Sequence, residues 1–222
     1  MSTSSTHPDA VTIPVAGTAL AADVSVPPAA RGVVLFAHGS GSSRHSPRNR
    51  QVAAELQAAG LATVLVDLLT PEEEQVDAGT GELRFNIELL SVRVAGLVDW
   101  ASEHEPTAGL PVGLFGASTG AAAALVGAAA RPDRVRAVVS RGGRPDLAGE
   151  FLRLVRQPVL LIVGGRDPTV IELNRKAMRT LAGETRLEII AGAAHLFEEP
   201  GALEEVARFA ADWFARYVVP SR

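Results

Sequence analysis

Five short runs of Val, Ile and Leu recur along the chain with almost no polar interruption: GVVLFAH (32–38), LATVLVD (61–67), PVGLF (111–115), VRAVVS (135–140) and PVLLIVG (158–164). A strand that is apolar on both faces must be covered on both, as in a parallel sheet packed between helices. A sixth run, RLEII (186–190), alternates and is expected nearer an edge. Between these runs, apolar residues repeat at helical spacing. Val52, Leu56 and Ala59 precede Gly60; Ile87, Leu90, Val94, Leu97 and Trp100 form a second set; Leu203, Val206, Ala210, Trp213 and Tyr217 form a third. The alternation predicts an α/β domain with a mostly parallel central sheet flanked by helices. Two further β-prone pieces within residues 11–26, VTIPV and ADVSV, predict an antiparallel hairpin at one edge.

A chain of 222 residues can bury one substantial core, so a single domain over 11–222 is expected behind a flexible tail, MSTSSTHPDA (1–10). That tail lacks the basic and apolar regions of a secretory signal, and no run has the roughly 20 strongly apolar residues of a membrane span. A cytoplasmic location is the default expectation. The formal net charge of −4 argues against a general nucleic-acid or anionic-membrane binder. With no cysteine in the chain, disulfides, thiolate metal sites and a cysteine nucleophile are excluded. The acidic cluster Glu72, Glu73, Glu74 after Pro71 reads as a solvated loop or a helix start.

The stretch GASTG (116–120) fits the pattern G-x-S-x-G, with a strand pattern before it and an Ala-rich helix former after it. In that context the serine occupies a sharp strand-to-helix turn above the carboxyl edge of the sheet. The helix starting at Thr119 would aim backbone N–H groups at developing negative charge. Five residues of this kind also arise by chance, and an ordinary strand–helix turn is the competing reading.

A serine hydroxyl needs a base to take its proton, and the base needs an orienting acid. GGRDP places Asp167 just past a buried strand, and GAAHLFEEPG places His195 in the loop after the next strand. Alone, Asp167 could simply cap the helix that follows, and His195 could be a surface-loop histidine. The order Ser118, Asp167, His195, each at its own strand end, makes the catalytic reading the better one. Two N–H donors must then face the developing oxyanion. Thr119 is expected to supply one, and Ser40, in HGSGSS after the first apolar strand, the other. Gly39 and Gly41 would let that backbone turn toward substrate, and His38 is expected to hold the loop rather than act as a second base.

On HGSGSS, GASTG, GGRDP and GAAHLFEEPG the sequence resembles the α/β-hydrolase superfamily, and within it the small dienelactone-hydrolase-like group, over roughly residues 30–217. The resemblance implies an eight-stranded, mostly parallel sheet and hydrolysis through an acyl-enzyme without metal or organic cofactor. Domains similar to this one also occur fused to phosphoribosyltransferase domains. Dienelactone hydrolases proper carry a cysteine nucleophile, and this chain has Ser118 there, so serine esterase chemistry is the expectation in place of dienelactone hydrolysis.

In the expected cycle Ser118 attacks an ester carbonyl, His195 accepts its proton, and Asp167 orients the imidazole. Since His195 must be neutral to act, activity is expected to rise through about pH 6 to 7. Thioesterase, acyltransferase, small-amide hydrolase and perhydrolase activities would use the same triad. A catalytically silent interaction domain is a further reading, which the complete triad disfavours. Only residues 141–157 separate the fourth and fifth apolar runs, too few for a cap domain, so a small soluble ester is the expected partner; self-association is left open. Arg44 and Arg141 are candidate contacts for an anionic substrate, with surface solvation or a structural salt bridge the favoured alternative.

Overall fold

Every residue of Val33–Ala37 and of Ala62–Val66 is buried, as are those of Val112–Ala117 and Val159–Gly164. The computed structural model, which describes residues 8–219, shows why. These segments are interior strands of one eight-stranded sheet with helices on both faces. In chain order the strands are β1 (Asp9–Val15), β2 (Thr18–Ser25), β3 (Val33–Ala37), β4 (Ala62–Val66), β5 (Val112–Ala117), β6 (Val135–Arg141), β7 (Val159–Gly164) and β8 (Thr185–Ile190). The helices are α1 (Pro47–Ala58), α2 (Pro71–Thr80), α3 (Ile87–Glu103), α4 (Thr119–Ala130), α5 (Pro168–Met178) and α6 (Ala202–Tyr217).

The spatial order is β1-β2-β4-β3-β5-β6-β7-β8, antiparallel through β1, β2 and β4 and parallel from there on. The predicted edge hairpin is therefore present, and the alternating β8 is the opposite edge. The hairpin begins earlier than expected. Asp9 pairs with Val24 and Ala10 with Asp23, so the last two residues of the expected tail belong to the sheet. Their side chains are exposed, and strand pairing there is a backbone matter that the side chains do not announce. Of the rest of that tail, Pro8 precedes the strand and residues 1–7 lie outside the described residues.

Strand alternation splits the core in two. Leu35, Leu114 and Val138 pack with α3 and α4 on one face, while Phe36, Phe115 and Val139 pack with α1 and α6 on the other. Helix α4 is buried from Thr119 to Ala128. Only a run of Ala and Gly is slim enough to lie between the sheet, α3 and the segment after β6. That segment, between β6 and β7, holds two short 3-10 turns within Pro145–Leu154 rather than a cap domain.

Two polar clamps fix the loops at the carboxyl end of β3 and β4. Thr70 and Glu73 form a reciprocal capping box at the start of α2. The Glu73 carboxylate also receives both terminal nitrogens of the buried Arg93, at 2.6 and 2.7 Å, and Arg93 Nη1 donates to the Leu68 carbonyl at 2.6 Å. The second clamp is His38. Its Nε2 accepts the Leu68 N–H at 3.0 Å, which leaves the proton on Nδ1 to be donated to the Gly39 carbonyl at 2.9 Å. Burial holds the imidazole below its ordinary pKa despite that hydrogen bond and nearby carboxylates.

A histidine kept neutral in the fold but free to protonate when unfolded weakens the fold as pH drops. The penalty is absent above the unfolded value of about 6.5 and grows as pH falls below it, until the folded pKa is reached. Melting temperature measured from pH 8 to pH 5 is expected to decline below about 6.5, by roughly 2–4 °C per kcal/mol lost. A His38→Gln variant should lack that part of the decline, and an unchanged slope in the variant would assign it to other groups.

Candidate active site

Ser118 sits between β5 and α4 with φ 50° and ψ −121°, a conformation that side-chain-bearing residues rarely adopt. The turn is held by its neighbours: Ser118 N–H donates to the Arg141 carbonyl at 3.2 Å, while its own carbonyl accepts from Ala121 and Arg144 at 3.1 Å each. The glycines around it serve close approach. A Cβ on Gly120 would lie 2.3 Å from the Ala37 carbonyl oxygen and 2.4 Å from that of His38, and a Cβ on Gly39 would lie 2.9 Å from the Ser118 Cβ. The strand end of β3 is thus packed directly against the serine turn, and Gly39, predicted as a substrate-side residue, abuts the serine itself.

Asp167 follows β7, and its two oxygens divide the work. Oδ1 accepts the Val170 N–H at 3.4 Å, capping α5, while Oδ2 meets His195 Nδ1 at 2.7 Å. Asp167 therefore caps the helix and contacts the histidine at once. With Nδ1 on the carboxylate, Nε2 is the ring nitrogen of His195 not engaged by Asp167. The turn carrying His195 is braced by Glu199, which accepts the Ala194 N–H on both oxygens at 3.1 Å and pairs with Arg166 at 3.3 Å. Gly142, with φ 52°, lies under the histidine: a Cβ there would come within 3.6 Å of His195 Cε1 and 3.2 Å of its carbonyl oxygen. Since the residue before Gly142 accepts the Ser118 N–H, the imidazole and the serine lie over adjacent strand ends.

Ser40 and Thr119 are also brought together. The Ser40 N–H donates to the buried Thr119 Oγ1 at 3.0 Å, so that amide is engaged by a side chain in the free protein. The two residues border a cleft of about 330 Å³ whose apolar wall is Leu68, Leu69 and Leu90 and whose polar rim includes Asp77 and Arg84. Little in the residue pattern marks this wall. The one legible signal was the T-P-E-E run at 70–73, which matches a capping box and so marks where α2 begins beside the cleft.

The candidate anion contacts fare differently. Arg44 is not free to bind substrate: Nε pairs with Asp23 at 3.3 Å, Nη1 pairs with Asp67, and its backbone N–H donates to Asp67 at 2.6 Å. It is the structural salt bridge of the alternative reading. Arg144, likewise, is held by Asp146 through two bonds of 2.9 and 2.7 Å. Arg141 is buried and has no such partner among the described residues. Among the described residues no cluster of three or more metal-ligating side chains occurs, and no helix is long and apolar enough to cross a membrane.

Comparison with known proteins agrees with this fold. Two Mycobacterium tuberculosis proteins, from strains CDC 1551 / Oshkosh and H37Rv, bear a provisional phosphoribosyl transferase name and are 57% identical over 202 residues, 91% of this chain but 44% of theirs. The chain thus spans less than half the length of those relatives. The crystal structure of a dienelactone hydrolase from Anabaena variabilis superposes with a TM-score of 0.94 at 55% identity, covering 96% of this chain and 99% of that one. Est1E from Butyrivibrio proteoclasticus shares the fold, with a TM-score of 0.78 at 16% identity over 93% of this chain and 98% of that one. The family model for the dienelactone hydrolase family matches residues 18–218. The chain belongs to the dienelactone hydrolase family and has the α/β-hydrolase fold.

Proposed function

We propose that the protein is a serine hydrolase of small carboxylic esters, with Ser118 as nucleophile, His195 as general base and Asp167 as the group that orients and stabilises the imidazole. The observation that carries this reading is the 2.7 Å contact between Asp167 Oδ2 and His195 Nδ1, made at the sheet edge where Ser118 is held in its turn. Membership of a hydrolase family supports it, as does likeness at 55% identity to a structure described as a dienelactone hydrolase, a lactone being a cyclic ester.

In the proposed cycle the Ser118 hydroxyl attacks the carbonyl carbon as its proton passes to His195 Nε2. The backbone amides of Thr119 and Ser40 take the negative charge that forms on the carbonyl oxygen. The protonated histidine gives its proton to the departing alcohol, leaving an acyl group on Ser118. A water molecule then loses its proton to His195 and attacks the acyl carbon, releasing the acid and restoring the serine. The short connection between β6 and β7 and the modest cleft favour compact acyl groups over long lipid chains.

A fluorophosphonate probe is expected to modify Ser118, mapped by peptide mass spectrometry, and Ser118→Ala should abolish both labelling and hydrolysis of a short acyl ester. Equal turnover by Ser118→Ala would overturn the assignment. Comparing water, alcohols and peroxide as acceptors on the same ester then separates hydrolase from acyltransferase or perhydrolase.

His195→Asn and Asp167→Asn should each lower kcat by about 10²–10⁴-fold. Because Asp167 also caps α5, substitution by Ala should in addition cost about 1 kcal/mol of stability, read as a lower melting temperature.

Gly39→Ala would press its new methyl group on the Ser118 Cβ, at 2.9 Å. Misplacement of the nucleophile should cut kcat by about tenfold or more with KM little changed. A variant with unaltered kcat would show that the serine has room to move.

A further inference from the structure

The arginines around the carboxyl end of the sheet mostly have carboxylate partners. Arg44 has Asp23 and Asp67, Arg93 has Glu73, and Arg144 has Asp146. Arg141 is different. Its register partner on β7 is Ile162, a residue of the core beneath α1 and α6, so its side chain leaves the sheet on that face. It is 8% exposed, and Nη1 is buried with no hydrogen-bond partner among the described residues. The charge that bears on it is another cation, Arg48 in the first turn of α1. Burial and that repulsion together bring the Arg141 pKa down to about 10.

Arg48 is itself incompletely paired. Its Nη1 reaches Glu198 at 3.2 Å, but Nε is buried and has no partner among the described residues. Glu198 is three residues beyond His195, so the two guanidiniums lie among the start of α1, the end of β6 and the turn that carries the histidine. Two cations near enough to repel, each with a buried unpartnered N–H, carry a desolvation cost that a negative partner offsets. The five donors of a guanidinium, set in a planar fork, match a carboxylate or phosphate group.

We infer that Arg141 and Arg48 form a binding site for a small oxyanion, a carboxylate or phosphate group, wedged between α1, β6 and the His195 turn. The site is separate from the cleft beside Ser40 and Thr119, whose walls Leu68, Leu69 and Leu90 belong to the core on the α3 and α4 face. Its occupant accepts N–H bonds from both arginines and removes their mutual repulsion. It thereby keeps Arg48 on Glu198 and ties the histidine turn to α1. The oxyanion can come from solution or from an acidic group on the substrate, and the two sources predict different kinetics.

The test uses inorganic phosphate as the probe, with sodium chloride at equal ionic strength as the reference. Phosphate is expected to raise the melting temperature saturably, by roughly 5 °C or more at a hundredfold excess over its dissociation constant. Arg141→Met, which replaces a buried unpaired cation with an apolar chain of similar length, should abolish the response. Arg48→Gln, at a partly exposed position, should weaken phosphate binding at least tenfold in calorimetric titration. No saturable rise, or a rise of equal size in Arg141→Met, overturns the site; so does unchanged affinity in Arg48→Gln. These measurements stand whether or not Ser118 is the nucleophile. With active enzyme, phosphate that competes with a carboxylate-bearing ester but not with a neutral one assigns the site to the substrate's acid group. Phosphate that competes with neither assigns it to a free anion.

Discussion

A residue with a side chain held at φ 50° and ψ −121° is in a state that an isolated peptide avoids, at a cost of about 1–3 kcal/mol. The rest of this sheet edge is arranged so that Ser118 has no better alternative. Its N–H and carbonyl are bonded to the chain leaving β6 and to the first turn of α4, and the end of β3 presses on it where Gly39 and Gly120 remove the intervening methyl groups. The slim, buried α4 permits this crowding by letting the helix come in close behind the turn. Strain of this kind persists only where the surroundings over-determine it. The surroundings here are the ends of β3, β5 and β6, the first turn of α4 and the loops beside them.

Those loops are stiffened by charge rather than by bulk. Arg93 and Glu73 bind α2 to α3 and to Leu68, two residues past β4, and the neutral His38 joins that same stretch to the loop after β3. Arg44 closes a third link through Asp23 and Asp67. Cations near the proposed active site invite an interpretation as substrate anchors, yet most of them act here as internal cross-braces. Arg141 stands apart because its charge meets another positive charge in place of a carboxylate.

Much of this was legible in the chain. The interior strands announce themselves because a strand covered on both faces has little use for polar residues, and the residues of the proposed triad stand out because each follows its own apolar run. The first strand was misjudged by two residues, since Asp9 and Ala10 pair through backbone and point their side chains at solvent. For Arg44 the favoured salt-bridge reading could name no partner. Asp23 and Asp67 are 21 and 23 residues away from it in sequence, and they become neighbours only through the pairing of β2 with β4. The dual role of Asp167 could not be separated by sequence either, because a helix cap and a histidine partner ask for the same residue at the same place.

The bond from the Ser40 amide to the Thr119 hydroxyl has a consequence for how binding relates to rate. On the proposed mechanism, a substrate carbonyl oxygen entering the site must displace that hydroxyl or share the amide with it. One neutral hydrogen bond is exchanged for another of similar strength, so arrival of the ester gains little from this donor. Once the oxygen becomes an anion the exchange is no longer even, since hydrogen bonds to charged acceptors are roughly twice as strong. The resting contact therefore works as an internal competitor that the ground state barely outbids and the tetrahedral intermediate displaces readily. Selectivity for the transition state over the substrate is in this way set partly by what occupies the amide before any ligand arrives.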